Sequence, residues 1–182
     1  MMDRIKLHDK YFKIFIPNEK IEEAIKKVAQ RLNEDYKNVK EPLFLSVLNG
    51  SFMFTAHLLK YLDFESEISF VRLSSYSGTS STGEVKHLLG FDKSLKDRNV
   101  IILEDIVDTG GTIVELCDII VKEHAADVKV CTLLLKPDAY RYSDKIKIDY
   151  AALEIPNDFI VGFGLDYDEL GRNYKDIYVL DK

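Results

Sequence analysis

Three carboxylates and a Gly/Thr run share one short stretch, Glu104-Asp105-Ile106-Val107-Asp108-Thr109-Gly110-Gly111-Thr112. Adjacent acids such as Glu104 and Asp105 can accept hydrogen bonds from a vicinal diol, as on a ribose, and hard divalent cations take oxygen ligands. Thr109 and Thr112 add hydroxyl donors, and Gly110 and Gly111 let backbone approach a ligand closely. Upstream, Val100-Ile101-Ile102-Leu103 is a continuous, β-branched apolar run, the pattern of a buried strand in a parallel sheet. Downstream, Ile113 to Val121 is amphipathic and predicts a helix. The order is therefore strand, acidic end, Gly/Thr loop, helix. Free backbone N–H groups and the positive dipole end at such a helix start suit a phosphate. Acids beside a phosphate cradle repel the anion unless the ligand also carries hydroxyls and a divalent cation. The plainer alternative is an acidic β–α loop with a solvated helix start. No Gly-Lys-Thr/Ser occurs here and no G-x-G-x-x-G follows the strand, which excludes a Walker A loop and a dinucleotide fingerprint.

At 182 residues the chain fits one domain with a sizeable core. A formal charge of −6 argues against a general nucleic-acid binder. It leaves room for an anionic small-molecule substrate, because local groups and a metal set the field of a site. Cys117 and Cys131 fall in a predicted helix and strand and read as buried thiols in a reducing compartment. The charged N-terminal residues are not those of a signal peptide, and no apolar run reaches membrane-spanning length, so a cytoplasmic location is expected.

The elements that must position the acids follow from the patterning. Lys6 to Ile16 reads as an extended arm anchored by Tyr11, Phe12, Ile14 and Ile16. Ile21, Ala24, Ile25, Val28, Ala29 and Leu32 recur at helical spacing after the start signal Pro17-Asn18, and Glu22 and Lys26 have the spacing of an i,i+4 pair. Pro42 to Leu48 predicts a second buried strand, ending at Asn49-Gly50-Ser51 before an apolar helix from Phe52 to Leu62. Asn49-Gly50 is either an ordinary turn or part of a ligand loop. Glu67 to Leu73 predicts a third strand. Ser74 to Lys86 is polar and Gly-rich, the composition of a hairpin tip or of a mobile lid. Val128 to Leu135 predicts a further strand ending in Lys136-Pro137. A lysine there faces either the ligand crevice of an open α/β sheet or solvent.

EDIVDTGGT resembles the phosphoribosyl pyrophosphate motif of the type I phosphoribosyltransferases, in the form of the 6-oxopurine members, and the likeness extends from about the first helix to Arg172. It implies an α/β fold with a central, mostly parallel sheet flanked by helices, as one domain over 1–182. A small hood would come from the N-terminal arm and about 150–182. It also implies magnesium-dependent transfer of a 5-phosphoribosyl group to hypoxanthine or guanine, giving IMP or GMP and pyrophosphate. Glu104 and Asp105 would then hold the ribose hydroxyls and share the metal with Asp166. Asp108 would be the general base, and Thr109, Gly110, Gly111 and Thr112 would cradle the 5′-phosphate. Lys136 would read the 6-oxo group, Phe159 would stack on the base, Ile160 would meet its edge through backbone, and Arg172 would contact pyrophosphate. Asn49 and Gly50 would grip pyrophosphate, although family members usually carry lysine at Asn49, and Ser75-Tyr76 would belong to the lid. Taken alone, Phe159 is more readily a core aromatic and Asp166 a turn acid. A nucleotide-sensing regulator on the same fold, or an enzyme preferring xanthine or guanine, are the competing functions. A homodimer or homotetramer, with neither nucleic acid nor membrane as partner, completes the expectation.

Overall fold

The computed structural model describes residues 4–73, 87–89 and 94–181. The chain runs through β1 (Arg4–Leu7), β2 (Lys10–Ile16), α1 (Asn18–Tyr36), β3 (Leu43–Val47), α2 (Phe52–Leu59), β4 (Glu67–Leu73) and β5 (His87–Leu89). It continues through β6 (Asn99–Val107), α3 (Gly111–Lys122), β7 (Asp127–Leu135), β8 (Tyr150–Glu154), β9 (Ile160–Val161) and β10 (Ile177–Leu180). Six strands form the large sheet in the order β5-β4-β3-β6-β7-β8. Five of them are parallel, and β5 runs antiparallel to β4 at the edge.

The apolar runs explain this sheet. Ile101 and Leu103 pack into one layer with α1 and α2, while Val100 and Ile102 pack into the other with α3. A strand covered on both faces has to be apolar at successive positions, and each Ile or Leu so buried contributes roughly 1.5–3 kcal/mol. α1 buries Ile21, Ala24, Ile25, Val28, Ala29 and Leu32, the stripe its spacing predicts, and runs on to Tyr36. α2 is shorter than expected, stopping at Leu59.

Four differences from the sequence pattern bear on the site. The central strand does not end at Leu103: β6 continues to Val107, because Glu104, Ile106 and Val107 pair with Thr132, Leu134 and Leu135 of β7. The N-terminal arm is a hairpin of β1 and β2, turning at His8 with φ 49°. Tyr150–Glu154 belongs to the large sheet, so the C-terminal chain joins the small sheet only from β9 onward. Glu22 does not pair with Lys26. The packing of α1 on α2 instead offers it the His57 ring and, at 2.9 Å, the Tyr61 hydroxyl, and the i,i+4 pair is Glu23–Lys27 at 2.7 Å.

The small sheet has the order β1-β2-β10-β9, all antiparallel. Its core is Ile5, Leu7, Phe12, Val161 and Tyr178. It is tied to α1 at the helix start, where the Asn18 N–H donates to Asp176 Oδ1 at 2.8 Å. Pro17 cannot cap with a side chain, so the acceptor comes from the far end of the chain. No helix among the described residues is long and apolar enough to cross a membrane.

Candidate active site

The carboxyl end of β6 is where buried charge collects. Glu104 and Asp105 are 9% and 8% exposed, which is unusual for acids. Glu104 Oε2 is buried with no hydrogen-bond partner among the described residues. Burial, and then the like charge of Asp105, hold the Glu104 carboxyl well above the usual carboxylate range. Burial also raises Asp105, opposed by its hydrogen bonds with Glu104 and the Ile106 N–H and by the Arg172 charge. The two acids titrate as a pair that keeps a proton separate carboxylates would lose.

β6 then opens into the Gly/Thr loop. Gly110 has φ 89° and stands just before α3 with no side-chain cap. That conformation favours glycine, and a Cβ there would lie 2.3 Å from the Tyr140 ring. The loop is braced from behind, since the Arg141 N–H donates to the Thr109 carbonyl at 3.2 Å. Thr109, Gly111 and Thr112 are exposed. The uncapped helix start thus presents N–H groups and dipole to an anion. The helix begins at Gly111 rather than Ile113, which puts Thr112 in its first turn.

Lys136 follows β7 and is 6% exposed. Its Nζ donates to Asp108 Oδ2 at 2.7 Å. The lysine is therefore turned into the crevice rather than into solvent, and it meets the third acid of the loop.

The Asn49-Gly50 turn closes the other side. The Leu48–Asn49 peptide is cis. A Cβ on Gly50 would lie 1.6 Å from Asp105 Oδ2, so the carboxylate rests directly on the Gly50 backbone. Against the same residue comes Gly164, where a Cβ would lie 2.1 Å from the Gly50 carbonyl oxygen. Arg172 fixes that approach: one guanidinium nitrogen donates to the Gly164 carbonyl at 2.8 Å and the other pairs with Asp166 at 2.8 Å. Beneath the turn, the buried Ser46 hydroxyl meets those of Ser51 at 2.7 Å and Thr55 at 2.8 Å. Nothing in the periodicity marks that hydroxyl trio as a support for the loop.

Phe159 and Ile160 come from the small sheet. Phe159 is 45% exposed, with its ring 6.0 Å from Phe12 and 5.6 Å from Tyr167. Ile160 buries its side chain in β9, the edge strand, so part of its backbone faces away from β10. Ser75 and Tyr76, and the whole Ser74 to Lys86 loop, lie outside the described residues. Among the described residues no three acids, histidines or cysteines gather as a metal cluster. Glu104 and Asp105 adjoin each other, while Asp166 is engaged by Arg172. Such an arrangement suits magnesium, which is commonly held by one or two carboxylates plus substrate oxygens.

A parallel sheet with this acidic strand end and phosphate loop defines a class, and the chain belongs to the phosphoribosyl transferase domain family, whose model matches residues 15–168. The hypoxanthine-guanine phosphoribosyltransferase of Lactococcus lactis is 43% identical over 169 residues, 92% of this chain and 90% of that protein. The enzyme of the same name from Streptococcus thermophilus is 44% identical, covering 92% of each. Among solved structures, a Trypanosoma cruzi hypoxanthine phosphoribosyl transferase superposes with a TM-score of 0.85 at 36% identity, covering 97% of this chain and 95% of that one. A Staphylococcus aureus hypoxanthine phosphoribosyltransferase gives 0.85 at 34% identity, covering 93% and 91%.

Proposed function

We propose that this protein serves purine salvage, transferring the 5-phosphoribosyl group of phosphoribosyl pyrophosphate to N9 of hypoxanthine or guanine with release of pyrophosphate. The observation that carries this reading is the Lys136–Asp108 pair at 2.7 Å, set at the start of the phosphate loop. A 6-oxopurine can replace each partner for the other: its carbonyl accepts from Lys136, and its ring N–H at N7 donates to Asp108. A 6-amino purine offers Lys136 a donor and leaves a buried ammonium unpaired, a mismatch of the kind that gives strong selectivity.

The remaining roles are assigned on the same reading. Asp108 takes the N7 proton as general base and so raises the nucleophilicity of N9. Glu104 and Asp105 hold the ribose hydroxyls and favour the positive charge that builds on the sugar in glycosyl transfer. The backbone N–H groups from Asp108 to Thr112, with the Thr109 and Thr112 hydroxyls, hold the 5′-phosphate. Asn49 and Gly50 face pyrophosphate through backbone, and Arg172 adds a cation beside it. Phe159 stacks on the base. Glu104 and Asp105, with Asp166, are the carboxylates to hold magnesium, which when bound neutralises charge on the leaving pyrophosphate. The orphan Glu104 oxygen supports a ligand or cation at this point. The same reading makes the protein a single-domain cytoplasmic homodimer or homotetramer without a nucleic-acid partner, an assembly that sedimentation would size.

The deciding experiment is a panel of hypoxanthine, guanine, xanthine and adenine with phosphoribosyl pyrophosphate and magnesium, following nucleotide formation. Hypoxanthine and guanine should give nucleotide and adenine should not. Nucleotide binding without turnover on any 6-oxopurine would make the protein a sensor instead.

A further inference from the structure

Tyr167 follows Asp166 on the turn that carries the hood's acids, and it is held by a part of the chain remote in sequence. The turn of the N-terminal hairpin wraps its ring. His8 meets it edge-on with centroids 5.4 Å apart, and Lys10 Nζ lies 4.0 Å above the ring centroid. Its hydroxyl donates to Asp9 Oδ1 at 2.8 Å and also receives Lys10 Nζ. His8 Nε2 closes the clasp on the Asp168 carbonyl at 3.2 Å. On its inner side the Tyr167 ring stands at 87° to Phe159, 5.6 Å away, and 6.2 Å from Phe12, itself fully buried. Among the described residues the ring neighbours of Phe159 are Phe12 and Tyr167, while nearly half of the residue is exposed. Edge-to-face contacts of this kind have a preferred geometry, so they fix a ring's plane as well as its place.

We propose that Tyr167 is a positioning residue for the purine: clamped by His8, Asp9 and Lys10, it sets the plane of Phe159 and so the affinity for the base. The proposal rests on the reading of Phe159 as the ring that stacks on the substrate. The Gly/Thr loop and the Glu104–Asp105 pair, which hold the sugar phosphate and ribose on that reading, stand at β6 and α3, apart from this clasp. The N-terminal hairpin thereby acts on base recognition without touching the base.

The test is steady-state kinetics with hypoxanthine and phosphoribosyl pyrophosphate varied in turn. Tyr167→Leu, which keeps bulk but removes the ring edge, should raise KM for hypoxanthine by about 2- to 10-fold, the worth of an aromatic pair. KM for phosphoribosyl pyrophosphate should stay within about 2-fold, since that substrate makes no use of the ring. Tyr167→Phe keeps the ring edge but loses the hydroxyl bonds to Asp9 and Lys10, so it should give the same split at smaller size than Tyr167→Leu. In a Phe159→Leu background, Tyr167→Leu should add nothing further, because it acts through that ring. Equal rises in both KM values, or additive effects in the double variant, would overturn the proposal. An unchanged purine KM in Phe159→Leu alone would instead overturn the stacking reading. Should Tyr167→Leu fail to fold, Lys10→Met loosens the clasp from outside; it should give the same split at smaller size, and no split there would also overturn the proposal.

Discussion

The carboxylates at the end of β6 and the rings of the small sheet invert ordinary burial preference in opposite ways. Glu104 and Asp105 are acids kept from water, whereas Phe159 is a large apolar ring left 45% exposed. Both arrangements cost the fold something, and on the proposed reading a bound ligand relieves both. They differ in how firmly each is held. The acids lie in a strand that stays paired with β7 on either side of Asp105, through Glu104 and Ile106, and Asp105 is seated on Gly50 with no room for a methyl group. Phe159 precedes a two-residue edge strand and is steadied by neighbouring rings. On the proposed reading, the firmly seated acids act on the transition state, and the ring held only by other rings selects and holds the base.

Perturbing the charged half should therefore show in turnover and perturbing the aromatic half in KM. The largest effect expected is removal of divalent cation: excess chelator should abolish nucleotide formation, and undiminished turnover would sink the metal assignment. Next is Asp108→Asn. The amide is nearly isosteric but cannot take up a proton, and losing a general base typically costs about 10²–10⁴-fold in turnover. Binding of phosphoribosyl pyrophosphate should survive, because Glu104 and Asp105 are untouched. Near-normal turnover would make Asp108 only a partner for Lys136. Smaller again is Thr112→Val, which removes one hydroxyl from the first turn of α3. A charge-assisted hydrogen bond of about 1.5–3 kcal/mol corresponds to a rise of about 10- to 100-fold in KM for phosphoribosyl pyrophosphate. An unchanged value would show that this helix start does not hold phosphate.

The smallest effect is on stability. Burial makes the folded protein bind the Glu104 proton more tightly than the unfolded chain does. That contribution is fully present below the ordinary carboxylate range and is lost as pH rises through the raised value. Glu104→Gln has no such proton to lose. Without ligand and in chelator, its melting temperature should match wild type in acid and exceed it increasingly towards neutrality, by about 2–4 °C per kcal/mol relieved. A difference independent of pH would mean that burial does not hold the proton there.

Much of the large sheet was legible because its strands are apolar at successive positions, and α1 because its stripe is regular. The reach of β6 was not, since Glu104 and Asp105 read as the end of a strand rather than part of one. The pairing of Glu104, Ile106 and Val107 with β7 shows that the strand continues. The site's phosphate loop and Lys136 were visible as local patterns. The Lys136–Asp108 pair was not, because it joins residues 28 apart. The strands β8, β9 and β10 are short and weakly patterned, and tertiary pairing decides them. Glycine tells the same story: Gly50 reads as a turn residue, while its necessity comes from Asp105, which no local window contains.

The bond from Asn18 to Asp176 spans 158 residues, and β2 pairs with β10 across a similar distance. During synthesis from the N-terminus, every strand of the large sheet is made before β10 exists. The parallel core can therefore collapse first, whereas the small sheet must wait for one of the longest loop closures in the chain. On this order the β6 strand end and Gly/Thr loop are set before the sheet that carries Phe159. A nascent chain stalled short of Ile177 carries an N-terminal hairpin with its β10 edge open to unwanted pairing.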